Sequence, residues 1–139
     1  MAYWLVKSEP ETWSWDAHLK AGVDAWTGVR NHQAKLHLKA MATGDGVLFY
    51  HSGEVRAVVG TSEVVREAYP DPGDPTGTFV CVALEARAPL PRPVSLVAIK
   101  AEAELNGMVL VKNSRLSVQP VTSSEWTKVC AMGGLATAP

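Results

Sequence analysis

Two short, strongly apolar segments constrain the fold of this chain more than any other feature of the sequence. Residues Ala2–Lys7 and Val47–Ser52 are rich in β-branched and aromatic side chains, which is typical of buried β-strands. Each segment ends in polar side chains, and the polar end of a buried strand is well placed to face a binding site. An alternative is that Ser8 and Glu9, which follow the first segment, only cap the structure that comes next.

Caps, turn residues and hydrophobic spacing predict the remaining elements. Further strands are predicted at Val55–Arg66, Thr78–Leu84, Met108–Val111 and Val118–Val121, and helices at Thr12–Ala21, His32–Met41, Ser95–Lys100 and Thr122–Gly133. Connections are predicted at residues 22–25, at Tyr69–Pro75 and around Pro89, Pro91 and Pro93. Strands and helices do not alternate in a βαβ rhythm, so we expect an α+β fold: a small mixed β-barrel of about five or six strands with short flanking helices.

The length of 139 residues predicts a single domain, which we place at residues 1–133, with a flexible C-terminal tail at residues 134–139. The sequence contains no run of about 18 apolar residues, the length needed to cross a bilayer. We therefore expect a soluble, intracellular protein that does not bind membranes. Independently of this, we expect a monomer. Such a protein would be cytoplasmic in a bacterium and nuclear in a eukaryote.

The formal net charge of −1 restricts the kind of partner that the chain can bind. A protein that binds nucleic acid through phosphates alone needs a clear excess of basic residues, because counterion release drives that kind of binding. This chain has no such excess. If it binds nucleic acid, we expect recognition by a pocket, with a few local cations that orient the strand.

The hexapeptide Trp26-Thr27-Gly28-Val29-Arg30-Asn31 is the strongest candidate for a pocket wall. An indole offers a face on which a flat ligand can stack, and a guanidinium offers a charge and a fork of donors. A flipped nucleobase is such a ligand. These six residues alone leave open the alternative that Trp26 is a core residue and Arg30 a solvated one.

The predicted helix after Asn31 carries a basic face. Lys35 and Lys39 are four residues apart and share one side of the helix with His32, and the helix contains no acidic residue. A face of this kind usually meets solvent. Beside a base pocket it would also meet phosphates.

Motifs that would indicate catalysis or a metal site are missing. The four histidines do not have the HExxH spacing, and the chain has no GxSxG elbow, P-loop or GxGxxG motif. His51 and Ser52 are adjacent in a predicted strand, so their side chains would point to opposite faces. Asp71 and Asp74 lack the other ligands of a calcium loop, and the two cysteines lie far apart. We expect no enzymatic activity, no cofactor and no metal.

Five segments follow one another along the chain in the order of the signatures of a known family. They are Tyr3–Pro10, Trp26–Asn31, Gly44–Asp45 with Phe49–Ser52, Val64–Pro72 and Arg115–Val121. Together they resemble the signatures of EVE-domain proteins, and the resemblance covers nearly the whole chain. It implies a PUA-like β-barrel related to the YTH readers of methylated adenine. It also implies binding of a modified base, most often 5-methylcytosine or 5-hydroxymethylcytosine in DNA.

The resemblance also implies roles for particular residues. By this comparison the pocket is lined by Lys7, Ser8, Trp26, Thr27, Tyr50, His51 and Ser52, supported by Arg30 and Asn31, and closed on one side by Arg115, Ser117 and Gln119. We expect Trp26 to stack on the base, while Ser8, Asn31 and His51 bond its edge. Lys35 and Lys39 are expected to help Arg30 orient the strand. The loop Pro70–Thr78 looks shorter than is usual for the family.

Three other functions remain compatible with the sequence. The same fold could bind a modified or unpaired base in RNA, as the relation to YTH and PUA domains allows. A domain that binds a small molecule or a protein, without nucleic acid, is the third possibility. A hydrolase that acts on modified nucleotides is the fourth, and release of product over time would reveal it. Competition between RNA and DNA strands of one sequence distinguishes the first two.

Overall fold

The computed structural model describes residues 1–113 and 115–135. The strands are β1 (Tyr3–Ser8), β2 (Val23–Trp26), β3 (Gly46–His51), β4 (Ala57–Pro70), β5 (Val80–Ser95) and β6 (Val118–Val121). The helices are α1 (Trp15–Ala21), α2 (His32–Ala40), α3 (Leu96–Ala101), α4 (Val109–Lys112) and α5 (Ser123–Met132), with a 3₁₀ turn at Ala103–Leu105. In this part of the chain the strands form one six-stranded sheet in the order β2-β5-β4-β3-β1-β6. Strands β1 and β3 are parallel and the other neighbours antiparallel, which confirms the predicted mixed α+β class.

The two apolar segments form the middle of the sheet and are buried on both faces. On β1, Trp4 and Val6 belong to one hydrophobic core, whereas Leu5, between them, belongs to a second core on the opposite face. Phe49 and Leu48 on β3 divide in the same way, because successive side chains of a strand point to opposite faces. Helices α1 and α2 cover the first core, and α3, α4 and α5 cover the second. A continuous apolar run is therefore required in both central strands.

Side-chain caps begin the helices at the positions that the sequence predicts. Ser14, Asn31 and Ser95 each accept a hydrogen bond from the backbone N–H three residues later. Thr122 and Glu125 form the predicted capping box of α5. The first helix starts at Trp15, three residues later than predicted, because the Ser14 cap fixes its beginning.

Two predicted elements were wrong. Residues 22–25, predicted as a connection, belong mostly to β2, which pairs with β5 at positions more than 55 residues away in sequence. Such non-local pairing leaves no short-range signal in a strand of four residues. Met108–Val111, predicted as a strand, contributes to helix α4. A short apolar run fits either structure, and periodicity cannot separate the two.

The long strands β4 and β5 also extend further than predicted. Strand β5 continues through Pro89, Pro91 and Pro93, which the sequence placed in an exit from the strand. Beyond Glu85 no strand of the described residues pairs with the other edge of β5, and such an edge position tolerates proline. Of the predicted tail, residues 136–139 lie outside the described residues. Among the described helices, none has the length and apolarity that a bilayer-spanning segment needs.

Candidate binding cavity

A cavity of about 510 Å³ opens where β1 ends, next to β2 and the segment that follows it. Its volume lies in the range of about 300–1,000 Å³ that is usual for small-ligand sites. The lining consists of Lys7, Ser8, Glu9, Thr12, Trp13, Asp24, Ala25, Trp26, Thr27, Gly28, Val29, Arg30 and Ser117. Of the predicted base-binding and supporting residues, the structure therefore brings Lys7, Ser8, Trp26, Thr27, Arg30 and Ser117 together.

Two indole rings form the aromatic part of the lining. Trp26 is only 6% exposed, and its ring packs edge-on against Phe49 with the centroids 5.6 Å apart. Its centroid lies 5.2 Å from that of Trp13, which is more exposed. Trp26 is therefore a core residue and a lining residue at once, so the two alternatives that the sequence left open are not exclusive. Trp13 is the more exposed of the two residues.

Four charged side chains line the same cavity, two of each sign. They are Lys7, Glu9, Asp24 and Arg30. Burial lowers the pKa of the Lys7 ammonium, and the Oδ1 atom of Asp24 accepts the N–H of Ala25 at 2.8 Å. Hydrogen-bond donors, acceptors and ring faces occur together, while the charges of the lining cancel. This combination suits a flat polar ring better than a free anion.

A buried carboxylate holds the rim of the cavity in place. Asp71 is 2% exposed, and its Oδ2 accepts the N–H of Gly28 at 2.8 Å and an Nη1 hydrogen of Arg30 at 2.9 Å. Its Oδ1 accepts the N–H of Gly73 at 2.7 Å. Burial by itself would raise the pKa of Asp71, but these hydrogen bonds outweigh it and lower the pKa. Asp71, the first residue after β4, therefore ties the predicted loop Tyr69–Pro75 to the rim of the cavity.

Several predicted pocket residues lie outside the cavity lining and make other contacts. The Asn31 side chain accepts the N–H of Ala34 as the cap of α2. Tyr50 is 3% exposed and belongs to the core on the opposite face of the sheet. The Nε2 atom of His51 accepts the N–H of Trp15 at 2.9 Å. Ser52 also lies outside the lining.

Of the six predicted supporting residues, Ser117 lines the cavity and the other five divide into three groups. Arg30 and Lys35 lie near the ring of Phe79, with the guanidinium carbon 5.5 Å and the ammonium nitrogen 5.7 Å from its centroid. Lys39 and Arg115 are exposed on the surface. Gln119 is fully buried, with its Nε2 donating to the carbonyl oxygen of Leu116 at 2.7 Å. Arg30 and Lys35 therefore lie together beside the cavity, whereas Gln119 is a core residue that bonds the backbone of Leu116.

Sequence reasoning missed three residues of the site. Trp13 falls within the predicted helix Thr12–Ala21 and was not among the predicted pocket residues. Asp24 was placed in a connection, although it stands two residues before Trp26 and would share its face in a strand. Asp71 was weighed only as a calcium ligand. Among the described residues no cluster of three or more potential metal ligands occurs.

Stability of the protein is expected to decrease as the pH falls below about 6.5. Burial lowers the pKa values of His18, His37 and His51, with nearby Asp24 partly opposing this at His18. The unfolded chain then takes up protons near its ordinary histidine pKa while the native state does not, so acid favours unfolding. For each histidine that takes up a proton on unfolding, the free energy of unfolding falls by at most about 1.4 kcal/mol per pH unit. Urea unfolding between pH 7.5 and pH 5 measures the slope.

His18→Gln is the matched variant for this prediction. His18 is fully buried and its Nε2 lies 2.8 Å from the Ser62 hydroxyl oxygen, a contact that a glutamine amide can replace. The variant is expected to show a shallower loss of stability in acid. A wild-type free energy of unfolding that stays constant or rises from pH 7.5 to pH 5.5 would contradict the prediction.

Comparison with known proteins identifies relatives over nearly the whole chain. Residues 2–132 match the family model described as the EVE domain. Human thymocyte nuclear protein 1 is 30% identical, with 94% of this chain and 73% of the human protein covered. The solution structure of a Rhodopseudomonas palustris protein is 59% identical with a TM-score of 0.93, covering 98% of this chain and 95% of that one. The crystal structure of human THYN1 in complex with DNA containing 5-methylcytosine is 30% identical with a TM-score of 0.87, covering 96% and 98%. These neighbours confirm the predicted PUA-like fold.

Proposed function

The chain belongs to the EVE-domain family, and from this membership we propose that it is a non-enzymatic module that binds nucleic acid by taking one base into the cavity. The proposed base is 5-methylcytosine or 5-hydroxymethylcytosine in DNA. Human THYN1, which resembles this chain over 96% of its length, was crystallised with DNA that contains 5-methylcytosine. That relative supports nucleic acid as the partner and a modified base as the ligand.

The observation that carries the proposal is the presence of two indole rings and several polar side chains in one cavity. Stacking a base on an aromatic ring contributes about 1–3 kcal/mol, whereas extruding the base from a duplex costs a few kcal/mol. The two contributions nearly cancel. Net affinity must therefore come from hydrogen bonds to the base edge and from cations near the mouth, and the lining offers both.

We assign roles from the placement of the side chains in the lining. Trp13 and Trp26 provide the aromatic surface, and Trp13 is the more exposed residue of the two. The hydroxyl groups of Thr27 and Ser117 are assigned to the base edge, whereas the hydroxyl of Ser8 donates to the carbonyl oxygen of Trp13 and can only accept from a ligand. We propose that Arg30 and Lys35, which lie near Phe79 beside the rim, meet the phosphates next to the bound base. Because the net charge is −1, these few cations orient the strand and do not drive binding alone.

Trp13→Ala is expected to weaken binding of a single-stranded DNA with one central 5-methylcytosine by about 5- to 150-fold, the equivalent of one base-stacking contact. Fluorescence anisotropy of a labelled strand, at fixed salt, measures the dissociation constant. The matched control is Tyr3→Ala, which also removes a partly buried ring, but one that stacks on Trp126 on the other face of the sheet. Circular dichroism at the assay temperature verifies that both variants are folded.

A strand with an abasic site in place of the 5-methylcytosine tests the pocket itself. It keeps every phosphate and loses the base, so the wild-type protein is expected to bind it more weakly. Equal affinity for the two strands, or an unchanged affinity in Trp13→Ala, would show that no base enters the cavity. An RNA strand of the same sequence, measured in parallel, decides between DNA and RNA as the ligand.

A further inference from the structure

We infer that Asp24 is the residue that selects a cytosine-type base, by accepting a hydrogen bond from its exocyclic N4 amino group. The inference rests on the proposed function and adds the atom that reads the base edge. Asp24 lines the cavity and lies on β2 two residues before Trp26, so that its carboxylate and the indole project from the same face of one strand. A base that meets the indole therefore has a carboxylate beside its edge.

The Asp24 carboxylate has acceptor capacity left for a ligand. Its Oδ1 is held by the N–H of Ala25 at 2.8 Å, which orients the group. Within residues 1–113 and 115–135, Asp24 takes part in no ion pair and its Oδ2 receives no hydrogen bond. The side chain is only partly buried, so it reaches the cavity without being sealed in the core. An oriented acceptor in a binding cavity is the arrangement that an amino group requires.

The chemistry of the carboxylate determines which base it favours. An ionised carboxylate only accepts hydrogen bonds, and Asp or Glu commonly accepts from N4 of cytosine. Thymine carries the same 5-methyl group as 5-methylcytosine but presents the acceptor O4 at the position of the amino group. Two acceptors then face each other, and a polar atom of the site is left unpaired. A base with an amino group at this position is preferred.

The hydrogen bond to Asp24 is expected to discriminate between bases more strongly than burial of the 5-methyl group does. Burying one methyl contributes about 0.8 kcal/mol, which is roughly fourfold in affinity. A base-edge contact of good geometry discriminates by about 1–3 kcal/mol, so we expect a preference of about 5- to 150-fold. The protein should therefore distinguish cytosine from thymine more strongly than it distinguishes methylated from unmethylated cytosine.

Two single strands that differ only at one central base test the inference. One contains 5-methylcytosine and the other thymine, so the methyl group, the ring shape and the phosphates are matched and no duplex has to open. The wild-type protein is expected to bind the 5-methylcytosine strand at least about fivefold more tightly. In Asp24→Asn the ratio should fall to within about twofold of one, because an amide can either donate or accept. The amide oxygen can keep the bond to Ala25, and urea unfolding checks that the variant remains folded.

Glu9→Gln is the matched control, since it removes the same charge from the same cavity lining. It should change the affinity for both strands alike and leave their ratio intact. A wild-type ratio near one, an unchanged ratio in Asp24→Asn, or an equal loss of the ratio in Glu9→Gln would each overturn the role of Asp24. If the abasic strand binds as tightly as both of these, the proposed function itself has failed. If both bind more tightly than the abasic strand but equally well, only the inference about Asp24 has failed.

Discussion

Replacing Trp26 by alanine is expected to lower the free energy of unfolding by about 3–5 kcal/mol, the usual cost of removing a buried tryptophan side chain. The ring is 6% exposed and lies against the rings of Trp13 and Phe49, with centroid distances of 5.2 and 5.6 Å. Its removal leaves a cavity beside these two rings, which adds to the loss of buried apolar surface. Urea unfolding followed by far-ultraviolet circular dichroism measures the change.

Val97→Ala is the control for this prediction, because Val97 is 78% exposed and its truncation removes little buried surface. Trp26→Phe, which keeps an aromatic ring in the core, should be less destabilising than Trp26→Ala. A loss below about 1 kcal/mol in Trp26→Ala would contradict the core role of the ring. Weak binding by Trp26→Ala would report unfolding as well as lost stacking. Trp13→Ala is therefore the better test of the ligand.

Asp71→Asn is expected to lower the free energy of unfolding by about 2–4 kcal/mol although the side chain hardly changes in size. The carboxylate receives hydrogen bonds from Gly28, Gly73 and Arg30 and is 2% exposed. An amide group offers one acceptor and one donor, so at least one of these N–H groups would face another donor. Urea unfolding measures the loss. The pH dependence of the free energy of unfolding is a second readout. Because the pKa of Asp71 is lowered in the native state, its ionised carboxylate stabilises that state above about pH 3.8, and this contribution disappears in acid.

The control is Glu54→Gln, which removes one negative charge from an exposed residue and should leave stability unchanged within about 0.5 kcal/mol. A loss of similar size in both variants would mean that the hydrogen bonds of Asp71 contribute nothing specific. Because Gly28 and Arg30 form the rim of the cavity, Asp71→Asn should also weaken the binding of a base-containing strand. A variant that is destabilised but binds with wild-type affinity would show that the rim keeps its shape without this carboxylate.

The proposed function has a physical consequence for specificity. The cavity charges cancel and the chain has a net charge of −1, so long-range attraction to DNA contributes little affinity. Contacts inside the cavity then determine both affinity and selectivity. Such a module is expected to depend less on salt than a basic DNA-binding domain, and more on the identity of the base.

Much of the fold was predictable because its signals are local. Ser14, Asn31 and Thr122 cap their helices as predicted, since a cap depends on only a few consecutive residues. The strands around Val6 and Phe49 were predictable because strands buried on both faces need continuous apolar runs. By contrast, β2 was missed because its partner β5 lies far along the chain. The error removed Asp24 from consideration, since a residue in a connection has no defined face.

The candidate site was predictable only in part. The segment from Trp26 to Arg30 and the end of β1 line one cavity, as the sequence suggested. Tyr50 was expected to join them but points into the opposite core, because it follows Phe49 in the strand and adjacent side chains alternate. His51 bonds the backbone of Trp15 instead of lining the cavity. A motif identifies which segments approach a site, but strand register decides which of their side chains enter it.

The amino-acid sequence by itself determined the fold class, the positions of the helix caps, the two central strands and membership of the EVE-domain family. These depend on local hydrogen bonding, hydrophobic periodicity and residue identity, which are all readable along one chain. Only the tertiary structure decided that Trp13 and Asp24 join Trp26 in the cavity and that Asp71 holds its rim. Those contacts depend on register and on pairing between distant segments, where one residue of shift turns a side chain from one face of the sheet to the other.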